Sequence, residues 1–104
     1  MIIHTKTKHY DAVAEWEDNK VIVKKGSHIN RKLEKANLFK KQVRELLKNE
    51  DLYETDGKTL AIDVQFTSLS TAASFVTGRI ANGLIVWKTE DGETIKRVLS
   101  HEEE

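Results

Sequence analysis

The side chains with the most chemical potential in this 104-residue chain are hydroxyls and cations. Ser68, Ser70 and Thr71 open the stretch "FTSLSTAASFVTGRIANGLIVWK", residues 66–88, which is otherwise small and apolar and lacks charge until Arg79 and Lys88. Hydroxyls at a helix start lie beside unpaired backbone N–H groups and the positive end of the helix dipole, an arrangement that attracts an anion such as phosphate. Arg79 and Lys88 would add charge if the fold brings them there. The competing reading is structural: Ser68 caps the helix by accepting from a first-turn N–H, and Ser70 and Thr71 are ordinary first-turn residues. Both readings stay open on sequence alone.

The second chemical feature is a run of cations. Between Arg31 and Lys48 lie seven basic residues (Arg31, Lys32, Lys35, Lys40, Lys41, Arg44, Lys48) against Glu34 and Glu45, a local excess of five in a chain with 17 basic and 17 acidic residues. Lys40, Arg44 and Lys48 recur every four residues and form one stripe if that segment is helical. Such a stripe can neutralise phosphates and give salt-dependent, sequence-tolerant binding to nucleic acid, although an amphipathic helix also needs a charged outer face. Trp16 and Trp87 could stack on bases, but two tryptophans in a domain this small more often belong to its core.

Other chemistries are disfavoured. His4, His9, His28 and His101 have no metal-ligand spacing, so no metal or cofactor is expected. The pairs Glu50-Asp51 and Glu90-Asp91 flank turns and read as solvated. No nucleophile elbow or phosphate-cradling glycine loop occurs. Cysteine is absent, which removes thiolate catalysis and disulfides. No catalytic role is expected. No apolar run approaches the ~18 residues of a membrane span, and the N-terminus lacks a signal peptide's apolar core. A cytoplasmic protein without membrane partners is the expectation.

These groups must be positioned by a single small domain, taken as residues 12–99, with an N-terminal extension (1–11) and a frayed acidic tail (100–104). "YDAVAEWE" and "KVIVKK" predict a hairpin turning at Asp18-Asn19 and ending at Gly26-Ser27. Residues 27–37 read as a loop with at most a short helical turn. From about Leu38 the apolar residues Phe39, Val43, Leu46 and Leu47 predict a helix stopping at Asn49. After an Asp56-Gly57 turn, Leu60, Ile62, Val64 and Phe66 alternate with smaller or polar residues, which predicts a half-buried strand. A Ser68-capped helix should run to about Thr77, with Ala72 and Ala73 on a close-packing face and Gly78 as its stop. "LIVWK" then reads as a buried strand, and "TIKRVL" as a short helix in preference to a hairpin. The expected class is α+β: a small, mostly antiparallel sheet with two main helices and a short C-terminal one.

Read as a motif, "TSLSTAASFVTGRIANGLIVWKTEDGETI" resembles the signature of domain of unknown function 4357. That signature runs approximately Ser-Pro-Ser-x-Ala-Ala, Gly-Arg-x-x-Asn-Gly, Trp-Lys and an acidic-Gly turn. It falls here on Ser68, Ser70, Ala72, Ala73, Gly78, Arg79, Asn82, Gly83, Trp87, Lys88 and Gly92. Upstream, Gly26-Ser27 and "VRELLKNEDL" are similar to the family's strand end and central helix. Leu69 replaces the usual proline at the first helical position, and Leu84 stands where the similar RAMA domain often has an aromatic. The resemblance implies an accessory module, often found with GIY-YIG nuclease domains or restriction-modification functions, and hence DNA or RNA recognition. With no nuclease half in this sequence, it would act alone, by self-association, or with a separate nuclease or modification protein. The alternative is a protein-interaction module using the "LIVW" segment or a sheet edge.

Overall fold

A computed structural model of the chain describes residues 1–32 and 40–102. Its four strands, β1 (Ile2–Lys6), β2 (Asp11–Glu17), β3 (Lys20–Val23) and β4 (Val64–Phe66), form one antiparallel sheet in sequence order. Four α-helices accompany it: α1 (Lys41–Lys48), α2 (Leu69–Thr77), α3 (Gly83–Val86) and α4 (Ile95–Glu102). A 3-10 turn over Glu50–Leu52 follows α1. The fold is α+β, as the sequence predicts.

Strand alternation sorts the sheet into two faces. Ile3, Thr5, Ala12, Ala14, Val21, Val23, Val64 and Phe66 are buried, whereas Ile2, Val13, Glu15 and Gln65 point to solvent. α2 packs on this buried face over β3 and β4. Ala72, Ala73, Phe75 and Val76 of α2 have no exposed surface. The rings of Phe66 and Phe75 lie 5.2 Å apart at 42°. Every residue from Thr71 to Gly78 is buried, as befits a helix enclosed by the sheet, α1 and the chain that returns after Gly78. Its buried hydroxyls are all engaged: Ser74 Oγ accepts from Ala81 N, and Thr77 Oγ1 donates to the Arg79 carbonyl.

The hairpin forms as predicted, with Asp18 taking the left-handed backbone of the turn (φ 54°). Its partner β1 lies in the segment read as an N-terminal extension. That segment is part of the sheet, with Ile3 fully buried and paired opposite Ala14. The signal was short, two isoleucines before a run of Thr, Lys and His. Residues 27–30 contain no helical turn; His28 bridges Asp11 on one side and Thr59 on the other.

Two further expectations are corrected. The strand drawn over Leu60–Phe66 shrinks to Val64–Phe66. Leu60 pairs instead with Gly26 and Ser27. Ile62 is exposed, and Asp63 turns the chain by accepting from Lys25 N at 2.7 Å and Lys24 Nζ at 3.1 Å. "LIVWK" is not a strand either. Asn82 Oδ1 accepts from Leu84 N and starts the one-turn helix α3, and only Lys88 then pairs in extended form, with His4 on the outer edge of β1. A short apolar run is compatible with either conformation, and here the cap decides.

α1 keeps Val43 and Leu47 inward and stops at Asn49, as expected; Leu38 and Phe39 lie outside the described residues. α4 is a helix, and it extends through the supposed frayed tail to Glu102. Among the described residues no helix is long and apolar enough to cross a membrane.

Candidate anion and nucleic-acid interface

The start of α2 has the geometry of a cap. Ser68 Oγ accepts from Thr71 N at 3.0 Å and donates to Thr71 Oγ1 at 2.8 Å. Ser70 Oγ accepts from Gly83 N at 3.0 Å, so its hydroxyl joins α2 to α3. Lys40 reaches the same place from the start of α1, with Nζ donating to Thr71 Oγ1 at 3.2 Å. Lys40, Ser68, Ser70 and Thr71 thus line one cleft of about 270 Å³, closed by Val43 and Ile80. The sequence separated Lys40 from the three hydroxyls; the fold unites them. Each hydroxyl already has a protein partner, which gives the capping reading a full account of the serines.

Arg79 and Lys88 do not join that group. α2 is nine residues long, about 13 Å. Gly78 stops it in the left-handed conformation (φ 73°), leaving Arg79 at the end opposite Ser68. Lys88 lies on the β1 edge, its backbone N–H and carbonyl both bonded to His4. The second positive locus predicted from Ser68, Arg79 and Lys88 is therefore not assembled as drawn.

The basic run also divides. Arg31 turns inward: Nε donates to the Leu47 carbonyl at 2.8 Å, one terminal nitrogen to the Gly57 carbonyl at 2.8 Å, and the other to Glu50 Oε1 at 2.7 Å. Its guanidinium sits 4.0 Å from the centre of the Tyr53 ring. This ties α1, the 3-10 turn and the Asp56-Gly57 turn together, and its bonds hold the Glu50 carboxyl below its ordinary range. Burial pushes the Tyr53 hydroxyl up to about 12, so it remains a donor, to the Leu46 carbonyl. Arg31 is structural. Lys41 pairs with Glu45 at 3.8 Å, and Lys35 lies outside the described residues. Arg44, half-buried, and Lys48, exposed, have no ion-pair partner among the described residues, whereas Lys40, the third member of the predicted stripe, is turned to Thr71.

The remaining motif residues are packing devices. Trp87 is fully buried and its Nε1–H donates to the Leu69 carbonyl at 3.1 Å. Gly83 lies so close to Leu69 and Ser70 that a side chain would overlap their backbone. Gly78 lies equally close to the Asn30 carbonyl. Ser27, buried after the Gly26 turn, accepts from Val13 N and donates to the Val13 carbonyl. Gly92 makes a left-handed turn (φ 84°). Trp16 is only partly buried, and its Nε1 donates to the Asp18 carbonyl at 3.0 Å.

A whole-domain pattern follows from this geometry: small residues on α2, a bracketing Asn-Gly and a buried tryptophan. The sequence profile described as "Domain of unknown function (DUF4357)" matches residues 3–99. The chain belongs to the DUF4357 family. The match begins within β1, in agreement with a domain that includes the first strand. No curated protein and no solved structure matches the DUF4357 chain.

A second cleft of this DUF4357 domain, about 370 Å³, was not anticipated. It lies between the β1–β2 turn, residues 30–32 and the end of α2, and Lys8, His9 and Arg79 stand on it. His9, weighed from sequence only as a metal ligand, and Lys8 both lie in the segment 1–11 that reads as an extension. The cluster of Lys6, Lys8 and His9 in "TKTKHY" is the available signal, and nothing in sequence spacing ties it to Arg79. Among the described residues, no cluster of three His, Asp or Glu side chains is arranged to hold a metal ion.

Proposed function

We propose that this DUF4357 domain is a non-catalytic accessory module that binds nucleic acid through phosphate contacts. The observation that carries the reading is the pair Arg44 and Lys48, one turn apart on α1 and without ion-pair partners among the described residues, with Lys40 at the start of the same helix. A group of one sign on a chain of zero net charge creates a local positive field without general stickiness. The family's association with GIY-YIG nucleases and restriction-modification proteins, and its similarity to RAMA domains, support DNA or RNA as the polyanion and a separate nuclease or modification protein as the partner, in the cytoplasm. The rival, a protein-interaction or self-association module, keeps one support: β4 ends the sheet, and a partner strand could extend it there.

Fluorescence anisotropy against single- and double-stranded DNA and RNA, including adenine-methylated duplexes, at two salt concentrations tests the proposal. Binding should weaken steeply with salt, and reversing Arg44 and Lys48 to glutamate should abolish most of it. Affinity weaker than about 10⁻⁴ M at low salt for every probe rejects it. Salt-independent self-association would favour the rival.

A further inference from the structure

The cleft between the β1–β2 turn and the end of α2 has a charge character that its structural role does not require. It is lined by Lys8, His9, Lys32 and Arg79 together with Thr7 and Asn30, and no acidic residue lines it among the described residues, in a chain whose acids and bases are equal in number. Lys8, His9 and Arg79 are exposed and have no ion-pair partner among the described residues, whereas Lys32 has interactions of its own. The nearby Asp11 is paired with Lys6 at 3.8 Å.

Cations at the end of a helix often serve its unpaired carbonyls. That explanation is weak here, because neutral donors already occupy them. Asn30 N donates to the Val76 carbonyl, Asn30 Nδ2 to the Thr77 carbonyl at 3.0 Å, and Gly78 N to the Ser74 carbonyl. The Asn30 side-chain oxygen is itself taken by Lys32 N. The cations that line the cleft are thus not needed to serve the helix end. Beyond His9 an adjoining hollow is lined by His28 and Lys58 together with the paired Lys6 and Asp11.

We propose that this cleft is a phosphate-binding site, with Lys8 and Arg79 as the charge-bearing contacts and His9 as a hydrogen-bond donor. An arginine fork and a lysine ammonium approaching from two separate chain segments suit a tetrahedral anion with several acceptor oxygens. The volume exceeds that of a lone phosphate and admits the sugar of a nucleotide unit. The phosphate can come from a nucleic-acid backbone, in which case the site deepens the function proposed above and rests on it, or from a free phosphate compound, in which case it stands alone.

Amide chemical-shift titration of the whole chain with inorganic pyrophosphate, and separately with a twelve-residue oligothymidylate, distinguishes these cases. Both probes should shift the amides of Lys8, His9, Gly78 and Arg79. Lys8→Ala and Arg79→Ala should each weaken pyrophosphate binding about fivefold, and together by about twentyfold or more, the scale of two partly screened charge contacts. Arg44→Ala with Lys48→Ala should leave pyrophosphate affinity unchanged. Exposed positions make misfolding of the cleft variants an unlikely confounder, and unchanged amide dispersion checks it. If pyrophosphate shifts these amides and neither the oligonucleotide nor any of the anisotropy probes binds, the cleft is a site for a free phosphate compound and the nucleic-acid function fails. If the oligonucleotide binds the double cleft variant with wild-type affinity and salt slope, and pyrophosphate leaves the cleft amides unmoved, the cleft proposal is overturned while the function survives. If neither probe moves any amide, the cleft proposal falls, and the function falls with it when every anisotropy probe also fails to bind.

Discussion

Replacing Gly83 by alanine is the sharpest test of how the α2–α3 bracket holds this domain together. Gly83 does not have a positive φ, and it sits at the first position of a helix, where alanine should ordinarily stabilise by about 0.5–1 kcal/mol. The obstacle is space alone. An added Cβ would lie 2.5 Å from Ser70 N and closer still to the Leu69 carbonyl group, all backbone atoms that cannot rotate away. Overpacking of this kind costs about 1–3 kcal/mol. Relief requires α3 to move off α2, which stretches the Gly83 N–Ser70 Oγ and Trp87 Nε1–Leu69 O bonds, together worth about 2 kcal/mol. Subtracting the helix gain leaves a net loss of about 2–4.5 kcal/mol, against a total of about 5–15 for a chain of this size. Urea denaturation followed by circular dichroism measures it, with Gly92→Ala as the comparison. Gly92 has a positive φ of 84° but no atom near its missing side chain, so its cost is the left-handed backbone alone, about 1–2 kcal/mol. A Gly83→Ala midpoint at or above that of Gly92→Ala would refute close approach as the reason for this glycine.

Trp87→Phe keeps part of the buried ring but loses the indole N–H bond to the Leu69 carbonyl and leaves a void in the core, and should lower stability by about 1–3 kcal/mol in the same assay. Arg31→Lys retains the charge but cannot serve the Leu47 and Gly57 carbonyls and Glu50 at once; a loss of about 2–3 kcal/mol in stability, with nucleic-acid affinity unchanged, is expected from parallel denaturation and anisotropy measurements. Asp56 is held down from 3.8 to about 2 by the Thr59 hydroxyl, with the Lys58 and Thr59 amides adding to it. Its carboxylate therefore contributes stability above about pH 4 that is lost as pH falls towards 2, and Asp56→Asn should flatten that part of an acid-denaturation profile.

Local rules reached those elements whose determinants are contiguous. The Ser68 cap, the Gly78 stop, the Asp18-Asn19 turn and the inward Val43 and Leu47 were all legible, because each needs only a few neighbouring residues. β1 was not, since Ile2 and Ile3 acquire a face only when β2 is paired beside them. The Leu60–Phe66 alternation was real but ran through Asp63, whose bonds to Lys24 and Lys25 depend on a hairpin some forty residues earlier. The stretch "LIVW" failed for a similar reason: Ser70 claims the N–H of Gly83 before any sheet can. The candidate site shows the same divide. The hydroxyls and the pair Arg44 and Lys48 could be found by spacing, whereas the meeting of Lys40 with Thr71, or of Lys8 with Arg79, is a product of tertiary folding.

The pairing of His4 with Lys88 has a temporal consequence. β1 is synthesised long before the residue that covers its outer edge, and the two sides are joined again where His4 Nε2 meets the Thr89 carbonyl at 2.9 Å. Bringing such distant positions together costs chain entropy that grows only slowly with the intervening length, about 4 kcal/mol beyond a constant. During synthesis the first strand is thus left with one edge open until almost the whole domain has emerged. A nascent chain halted before Lys88 would carry a hairpin able to recruit another strand, so the last third of the sequence acts as an internal guardian of the first.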